Sequence, residues 1–408
     1  MTEVATESAP VLRGRTDAEA HVGVVCFKQG PPTLLGAELE WLLAHADHPE
    51  AAPAVATVAT ALGDHAPSSL RPGSPARPLP GGSIVTVEPG GQVELSSAPY
   101  PDARSLCSAL RSDVEHLRGL LGSAAIVLQP GAAQEHRLPE RQLFSPRYCA
   151  MEELFDRVGP FGRLMMCSTA AVQVSVDAGE GAEMAARWAM LHEVGPALVA
   201  AFACSPRLCG APDGDWASQR MRTWLELDPQ RTVGPPTDTT DPVTAYARWA
   251  LDVPLLCVQD ATQQRWTAPP GVTFADWVDG RTSIGRVPTT VDLDLHLSTL
   301  FPPVRAKGHF EVRYLDAQPG DAWQVPVALI DGLLGDAATV DTARDLAAAT
   351  AGRWRDAAQH GRSDTELRRA ATALLELGAQ HVSDPSLARQ VAAAAERAPA
   401  DCLEQVRR

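Results

Sequence analysis

The sequence predicts an α+β fold built on an antiparallel sheet that buries one face and keeps the other polar. Three observations predict it. Four distant segments alternate apolar and polar side chains with period two, the pattern of a strand buried on one side. The stretch from about Thr339 onward is Ala-rich and helical in character. With 45% apolar residues, the 408-residue chain can fill a large core, yet no apolar run approaches membrane-spanning length.

In chain order, residues 1–18 read as a flexible tail, residues 19–338 as one main domain and residues 339–408 as a helical segment packed on it. The first alternating segment is "GAELEW" (36–41), with Glu38 and Glu40 on one face and Ala37, Leu39 and Trp41 on the other. The second, "SIVTVEPGGQVELSSAP" (83–99), puts Gln92, Glu94 and Ser96 on one face, with Glu88 just before the Pro-Gly-Gly turn. The third, "MMCSTAAVQVSVDAG" (165–179), sets Gln173, Ser175 and Asp177 against Val172, Val174 and Val176. The fourth, "GHFEVRYLDAQPG" (308–320), alternates Phe310, Val312 and Tyr314 with Glu311 and Arg313. Residues 68–82, 228–242 and 267–288 are rich in turn formers and read as long loops, a class that often serves as lids. Near the end, Asp384 is a helix N-cap with Pro385 in the first turn.

Composition narrows the function. A net charge of −15 disfavours nucleic acid as a partner, and no membrane span is expected. Lysine occurs only at Lys28 and Lys307, every other basic residue being arginine, so arginine frequency alone says little. The N-terminus lacks the basic and apolar regions of a secretory signal, and the eight cysteines include no C-x-x-C. The expectation is a cytoplasmic protein with reduced thiols. There is no Walker-type phosphate loop.

The polar strand faces carry the chemistry. Joined in one sheet, they bring Glu38, Glu40, Glu88, Glu94 and Glu311 together with Gln92, Gln173 and Arg313. Like charges a few Å apart repel by several kcal/mol at an effective dielectric of about 20. A hard divalent cation relieves that, and oxygen ligands suit Mg²⁺ or Mn²⁺. Mg²⁺ held by a few carboxylates, with phosphates completing its shell, points to ATP chemistry. Arginine suits carboxylates and phosphates, which makes Arg163, Arg220, Arg222 and Arg313 candidates for substrate contact, with Gln92 beside them. Arg220 and Arg222 share a face if their segment is extended.

"GAELEW", "VEPGGQVELS", "MMCSTAAVQVSVD", "YARWALDVPLLCV" and "HLSTLFPPVRAKGHFEVRYLD" together resemble the glutamate–cysteine ligase family. The resemblance spans roughly residues 20–335. It is to the plant and proteobacterial-type branch, and closer still to actinobacterial members that serve ergothioneine synthesis. It implies a curved antiparallel sheet of glutamine-synthetase-like type with helices on its outer face. It implies ATP-dependent phosphorylation of the γ-carboxylate of L-glutamate, then attack by the amine of L-cysteine to give γ-glutamylcysteine. By position it makes Glu38, Glu40, Glu88, Glu94 and Glu311 metal ligands, with Gln173 where some relatives carry a histidine. It sets Arg313 near the transferring phosphate and Arg220 and Arg222 in a glutamate-binding segment. Leu39 stands where plant-type relatives have a histidine. Two other readings stay open: a related ligase with a different amine acceptor, and a silent homologue that binds metal or nucleotide. The sequence sets neither the downstream pathway nor an oligomeric state.

Overall fold

A six-stranded antiparallel sheet organises the molecule, a computed structural model that describes residues 9–237, 240–260 and 266–397. Its strands are β1 (Leu35–Trp41), β3 (Ile84–Val87), β4 (Val93–Ser96), β6 (Ala171–Val176), β7 (Val304–Ala306) and β8 (Phe310–Asp316), ordered β3-β4-β1-β6-β8-β7. A separate two-stranded ribbon pairs β2 (Leu43–His45) with β5 (Ile126–Leu128). The large sheet is open, and all its pairings are antiparallel.

Alternation sets the faces. In β1, Leu35, Ala37, Leu39 and Trp41 are buried, while Glu38 and Glu40 between them keep partial exposure. Register then fixes who meets whom. Glu40 lies opposite Glu94, Glu38 opposite both Ser96 and Gln173, and Ser175 opposite both Gly36 and Glu311. A one-residue slip in any pair would turn these carboxylates into the helices.

One irregularity matters. Between β6 and β8, Val174 pairs with Val312 but Val172 pairs with Leu315, so β8 carries an extra residue around Arg313–Tyr314. Tyr314 stays on the helix side, where its hydroxyl donates to Leu191 O at 2.9 Å. Past the bulge the phase is reset, and Asp316 joins the polar side of Glu311 and Arg313.

Helices Ala103–Gly122, Gly195–Phe202 and Gln324–Leu333 pack on the apolar side of the sheet. A cluster of Phe27, Trp188, Tyr246 and Phe310 in edge contacts fills the core beside β8. The Ala-rich end forms helices Ala337–Ala347, Thr365–His381 and Pro385–Ala395, packed on Gln324–Leu333 and on one another. Asp384 caps the last of them through Ser386 N and Leu387 N, with Pro385 in the first turn as the sequence indicates.

Several expectations need correction. The tail is shorter than predicted: residues 1–8 lie outside the described residues, but Leu12 N already donates to Pro288 O, and a helix starts at Arg15. The segment 165–179 is not all strand. Its first four residues end the helix Phe161–Ser168, because a short apolar run does not by itself separate helix from strand. Residues 267–288 contain the helix Phe274–Val278, opened by a capping box between Thr273 and Asp276 that the sequence "TFAD" spells out. Residues 228–242 contain the short helix Pro229–Thr232, with residues 238 and 239 outside the described set.

Two histidines are buried inside the helical layer. His296 Nε2 bonds Ala250 O at 2.7 Å, and His192 Nδ1 bonds Trp188 O at 2.8 Å. Burial pushes His296 down to about 3 and His192 down to about 4. The unfolded chain therefore takes up protons near pH 6.5 that the folded chain refuses. Stability supplied by these neutral rings is complete above about pH 6.5 and is lost as pH falls towards 4. The expected outcome is that His296→Gln loses less melting temperature between pH 7 and pH 5 than the parent protein, measured by thermal unfolding at both pH values.

Candidate functional site

Four glutamates stand in a row on the polar face. Glu88 ends the β3 side of the hairpin, Glu94 sits on β4, and Glu40 and Glu38 on β1. The hairpin turn is anchored to the neighbouring helix, not left free for a ligand. A side chain at Gly90 would meet Cys167 O at 2.4 Å, and Gly91 has a φ of +86°. Gln92 completes the anchor by donating from Nε2 to Met166 O (3.2 Å) and Thr169 O (3.0 Å) at the end of Phe161–Ser168. Gln92 thus lines the cavity while its amide protons hold backbone.

Within the row, Glu94 accepts from Thr86 Oγ1 at 2.5 Å and from Ser96 Oγ at 3.3 Å, and Ser96 Oγ also reaches Glu38 Oε1 at 3.2 Å. Glu40 accepts from Ala171 N (2.8 Å) and Gln173 Nε2 (2.7 Å). None of these four glutamates has a salt bridge within 4 Å among the described residues. Glu311 differs. It is fully buried and paired with Arg305 (2.7 Å) and Arg313 (2.5 Å), with Arg313 Nη1 also donating to Gln173 Oε1 at 2.6 Å.

The electrostatics follow from this division. Burial, then the like charge of neighbouring glutamates, raises Glu40 and Glu88 to about 7 and Glu94 to about 8, and raises Glu38 as well. Burial acts to raise Glu311 too, but Arg305 and Arg313 outweigh it and hold its carboxyl below the ordinary range. The row is a set of desolvated oxygens short of positive charge. Among the described residues, no three His, Cys, Asp or Glu side chains converge closely enough to hold a metal ion by themselves.

These residues line a cavity of about 490 Å³. At the Glu88 end its wall is soft and apolar, with Met151, Met165, Trp224 and Phe301. Arg220 enters that wall from helix Gln219–Leu227, donating to Arg313 O at 2.7 Å. Behind it lies Asp316, fully buried, which accepts from Ser205 Oγ (2.7 Å), Ser218 Oγ (2.8 Å) and Cys204 N (3.0 Å) and stands 3.8 Å from Arg220.

The structure brings together Glu38, Glu40, Glu88, Gln92, Glu94, Gln173, Arg220 and Arg313 around this cavity, with Glu311 just behind. It removes two candidates. Arg222 is on a helix, where two residues apart means nearly opposite faces. Its guanidinium bonds Pro212 O and Gln219 Oε1 beside the Trp216 ring, outside the cavity wall. Arg163 is half-exposed and pairs with Glu152 and Asp156.

Sequence reading missed Arg147. It lies in the first turn of helix Pro146–Phe155, whose N-cap is Ser145, and donates Nη2 to Ser298 O at 2.7 Å across the cavity rim. Of the arginines lining the cavity, Arg305 and Arg313 pair with Glu311 and Arg220 with Asp316. Arg147 has no carboxylate partner among the described residues. Only the "S-P-R" start of its helix marked it in sequence.

Comparison with known proteins gives concordant results. The model of the family described as glutamate-cysteine ligase family 2 matches residues 34–408. The chain is 36% identical over 397 residues to glutamate–cysteine ligase EgtA of Mycolicibacterium smegmatis, an alignment that covers 95% of this chain and 86% of that protein. It is 40% identical over 311 residues to EgtA of Mycobacterium tuberculosis, covering 75% of this chain and 72% of that one. With the chloroplastic glutamate–cysteine ligase of Medicago truncatula the identity is 30% over 277 residues, covering 66% of this chain and 53% of the plant protein. The solved glutamate–cysteine ligase of Francisella tularensis in complex with AMP shares the fold at a TM-score of 0.54 and 12% identity, over 93% of this chain and 84% of that one.

If the glutamate row is a strained cluster, removing one charge relieves it. Glu94→Gln is expected to melt a few degrees higher than the parent at pH 8 in buffer free of divalent cations, as seen by differential scanning calorimetry. A neutral surface change such as Glu115→Gln is expected to leave the melting point unchanged.

Proposed function

The chain belongs to the glutamate-cysteine ligase family 2, and on that premise we propose that it joins L-glutamate to L-cysteine with ATP, giving γ-glutamylcysteine, ADP and phosphate. The row of four unneutralised, desolvated glutamates facing a cavity walled by arginines is the observation that carries the reading. Two anionic reactants, a carboxylate and a triphosphate, repel each other in water. The cavity answers with fixed cations and with oxygens suited to a hard cation.

The donor set fits Mg²⁺, with Mn²⁺ as a second choice: pairs drawn from Glu38, Glu40, Glu88 and Glu94 would hold it, with Gln173 at the margin. Such an ion would neutralise phosphate charge and polarise the phosphorus. Because no three acidic side chains among the described residues converge on one point, phosphate oxygens and water would complete its shell. Glu311, already committed to Arg305 and Arg313, serves best as the group that holds both guanidiniums in place.

This chain's own residues then divide the work. Arg220, braced by Asp316 and the Arg313 carbonyl, takes the α-carboxylate of glutamate. Arg313 faces the transferring phosphoryl group, where a planar cation stabilises charge spread over its oxygens. Attack of the γ-carboxylate on the terminal phosphorus releases ADP and leaves an acyl phosphate. The cysteine amine then attacks the acyl carbon, forming the amide and expelling phosphate, which takes up the proton the amine gives up. Arg147, the cavity arginine without an ion pair, suits the carboxylate of the incoming cysteine, with its thiol against Met151, Met165 and Trp224. The apolar wall shields the acyl phosphate from water.

The sheet supports a glutamine-synthetase-like fold type. The EgtA relatives support ergothioneine synthesis as the use of the product, with glutathione the alternative. Cys26, Cys107, Cys149, Cys167, Cys209 and Cys257 form no disulfide among the described residues, and a reducing cytoplasm is part of this proposal.

Phosphate release with ATP, Mg²⁺ and L-glutamate is expected to rise on adding L-cysteine and not with a panel of other amino acids. Stimulation by a different amine alone would replace cysteine as the acceptor. Arg147→Ala is expected to raise KM for cysteine by about tenfold or more, with KM for ATP changed less than about twofold.

A further inference from the structure

A second cavity, of about 250 Å³, adjoins the Asp316 network and shares no lining residue with the first. Its floor is buried and mostly small: Leu42, Ala132 and Cys204. The Cys204 thiol is already engaged, donating to Ala317 O at 3.1 Å, so the floor offers apolar surface and not a reactive group. Towards solvent stand Gln129, Glu135 and Arg207.

Hydrogen bonding along this rim leaves three polar atoms over. His136 N can only donate, so the Gln134 atom it reaches at 2.9 Å is the carbonyl oxygen, and Gln134 Nε2 then donates to Gln129 Oε1 at 3.0 Å. Gln129 Nε2 is left without a partner among the described residues. Arg207 contacts Glu135 through Nε at 2.7 Å and through Nη2, both on Oε2. Among the described residues that leaves Arg207 Nη1 as a donor and Glu135 Oε1 as an acceptor. Two donors, one of them cationic, suit a carboxylate, and an anionic acceptor suits an ammonium. With the apolar floor beneath, the set matches a zwitterion that carries a small uncharged side chain. The volume agrees, since it falls below the roughly 300–1,000 Å³ of sites for drug-sized ligands.

Both walls of this cavity are bonded to the first one. On one wall, Gln134 N donates to Ser168 O and Ala132 O accepts from Ala170 N, each at 2.9 Å. These bonds flank Thr169, which lines the first cavity and accepts from Gln92. On the other wall, Ser205 O accepts from Gln219 N at 2.7 Å, and Ser205 Oγ accepts from Arg220 N at 3.2 Å while donating to Asp316 at 2.7 Å. We propose that this second cavity is a regulatory site for a free α-amino acid with a small uncharged side chain, whose binding tightens the hold of Arg220 on glutamate. The cavity is open in the same conformation in which Arg220 is braced. A ligand that fills it selects that conformation, and the coupling runs both ways. That Arg220 holds glutamate rests on the ligase reading; the second site itself does not.

The test is calorimetric titration of the full-length protein with L-alanine, a probe with neither thiol nor side-chain charge, and with L-glutamate in its presence and absence. One L-alanine site is expected, weakened about tenfold or more in Arg207→Gln and in Glu135→Gln, and changed less than about twofold in Arg147→Ala. Saturating L-alanine is expected to tighten L-glutamate binding about fivefold in the parent and not in Arg207→Gln. Both rim positions are partly exposed, so the melting temperatures of these variants and their kcat without L-alanine are expected to match the parent's. Absence of L-alanine binding at millimolar concentration overturns the inference. So does binding that depends on Arg147 and not on Arg207, which would put L-alanine in the first cavity, and so does binding that leaves glutamate affinity unchanged. Coupled binding with the Arg207 dependence intact, in a protein that makes no γ-glutamylcysteine, would refute the ligase reading and leave the second site standing.

Discussion

Holding four largely desolvated carboxylates side by side, without salt-bridge partners among the described residues, is the constraint on which the rest of this structure depends. Charge of this kind is tolerated only where the scaffold is stable enough to hold it and where a ligand repays the strain. The scaffold's answer is a sheet whose back is packed by three helices and whose front is locked by register. Glu38, Glu40 and Glu94 are held by Ser96, Thr86, Gln173 or a backbone amide, and not by a cation. Three of the cavity's arginines are kept one step away, tied up at Glu311 and Asp316. The result is a front that is negative at the centre and positive around it, a pattern that suits a metal-bearing polyphosphate flanked by carboxylates.

Much of this was legible in the sequence. Period-two alternation placed Glu38, Glu40, Glu94, Gln173, Glu311 and Arg313 on one side of their strands, and that is where they are. Arg222 and Arg163 were not legible, because arginine is the default basic residue here and no alternation marks a helix only nine residues long. Treating Arg220 and Arg222 as strand neighbours put both on one face; helical geometry separates them. Arg147 stayed hidden because its importance comes from a missing partner, and partners are a property of the fold. The bulge in β8 was equally invisible, since an extra residue in a strand leaves no compositional trace when its neighbours are all strand formers.

Gln92 illustrates how a residue type can be right and its role different. A buried amide beside acidic groups reads as a ligand contact. Here its two donors join the hairpin turn to the end of helix Phe161–Ser168. Together with Gly90, which lets the turn touch Cys167 directly, it fixes the distance between Glu88 and the apolar wall. The glutamate row and the apolar wall of the cavity are therefore joined by direct contacts.

The bulge at Arg313–Tyr314 has an effect beyond local twist. Without it, strict alternation would carry Arg313 and Leu315 to the front and Asp316 to the back, into the helices. The added residue makes one strand serve two registers. Its first half presents Glu311 and Arg313 to the cavity, and its end presents Asp316 to Arg220. The strand works like a vernier whose half-step links two otherwise independent charge pairs, so any shift of β8 along its axis moves both pairs together.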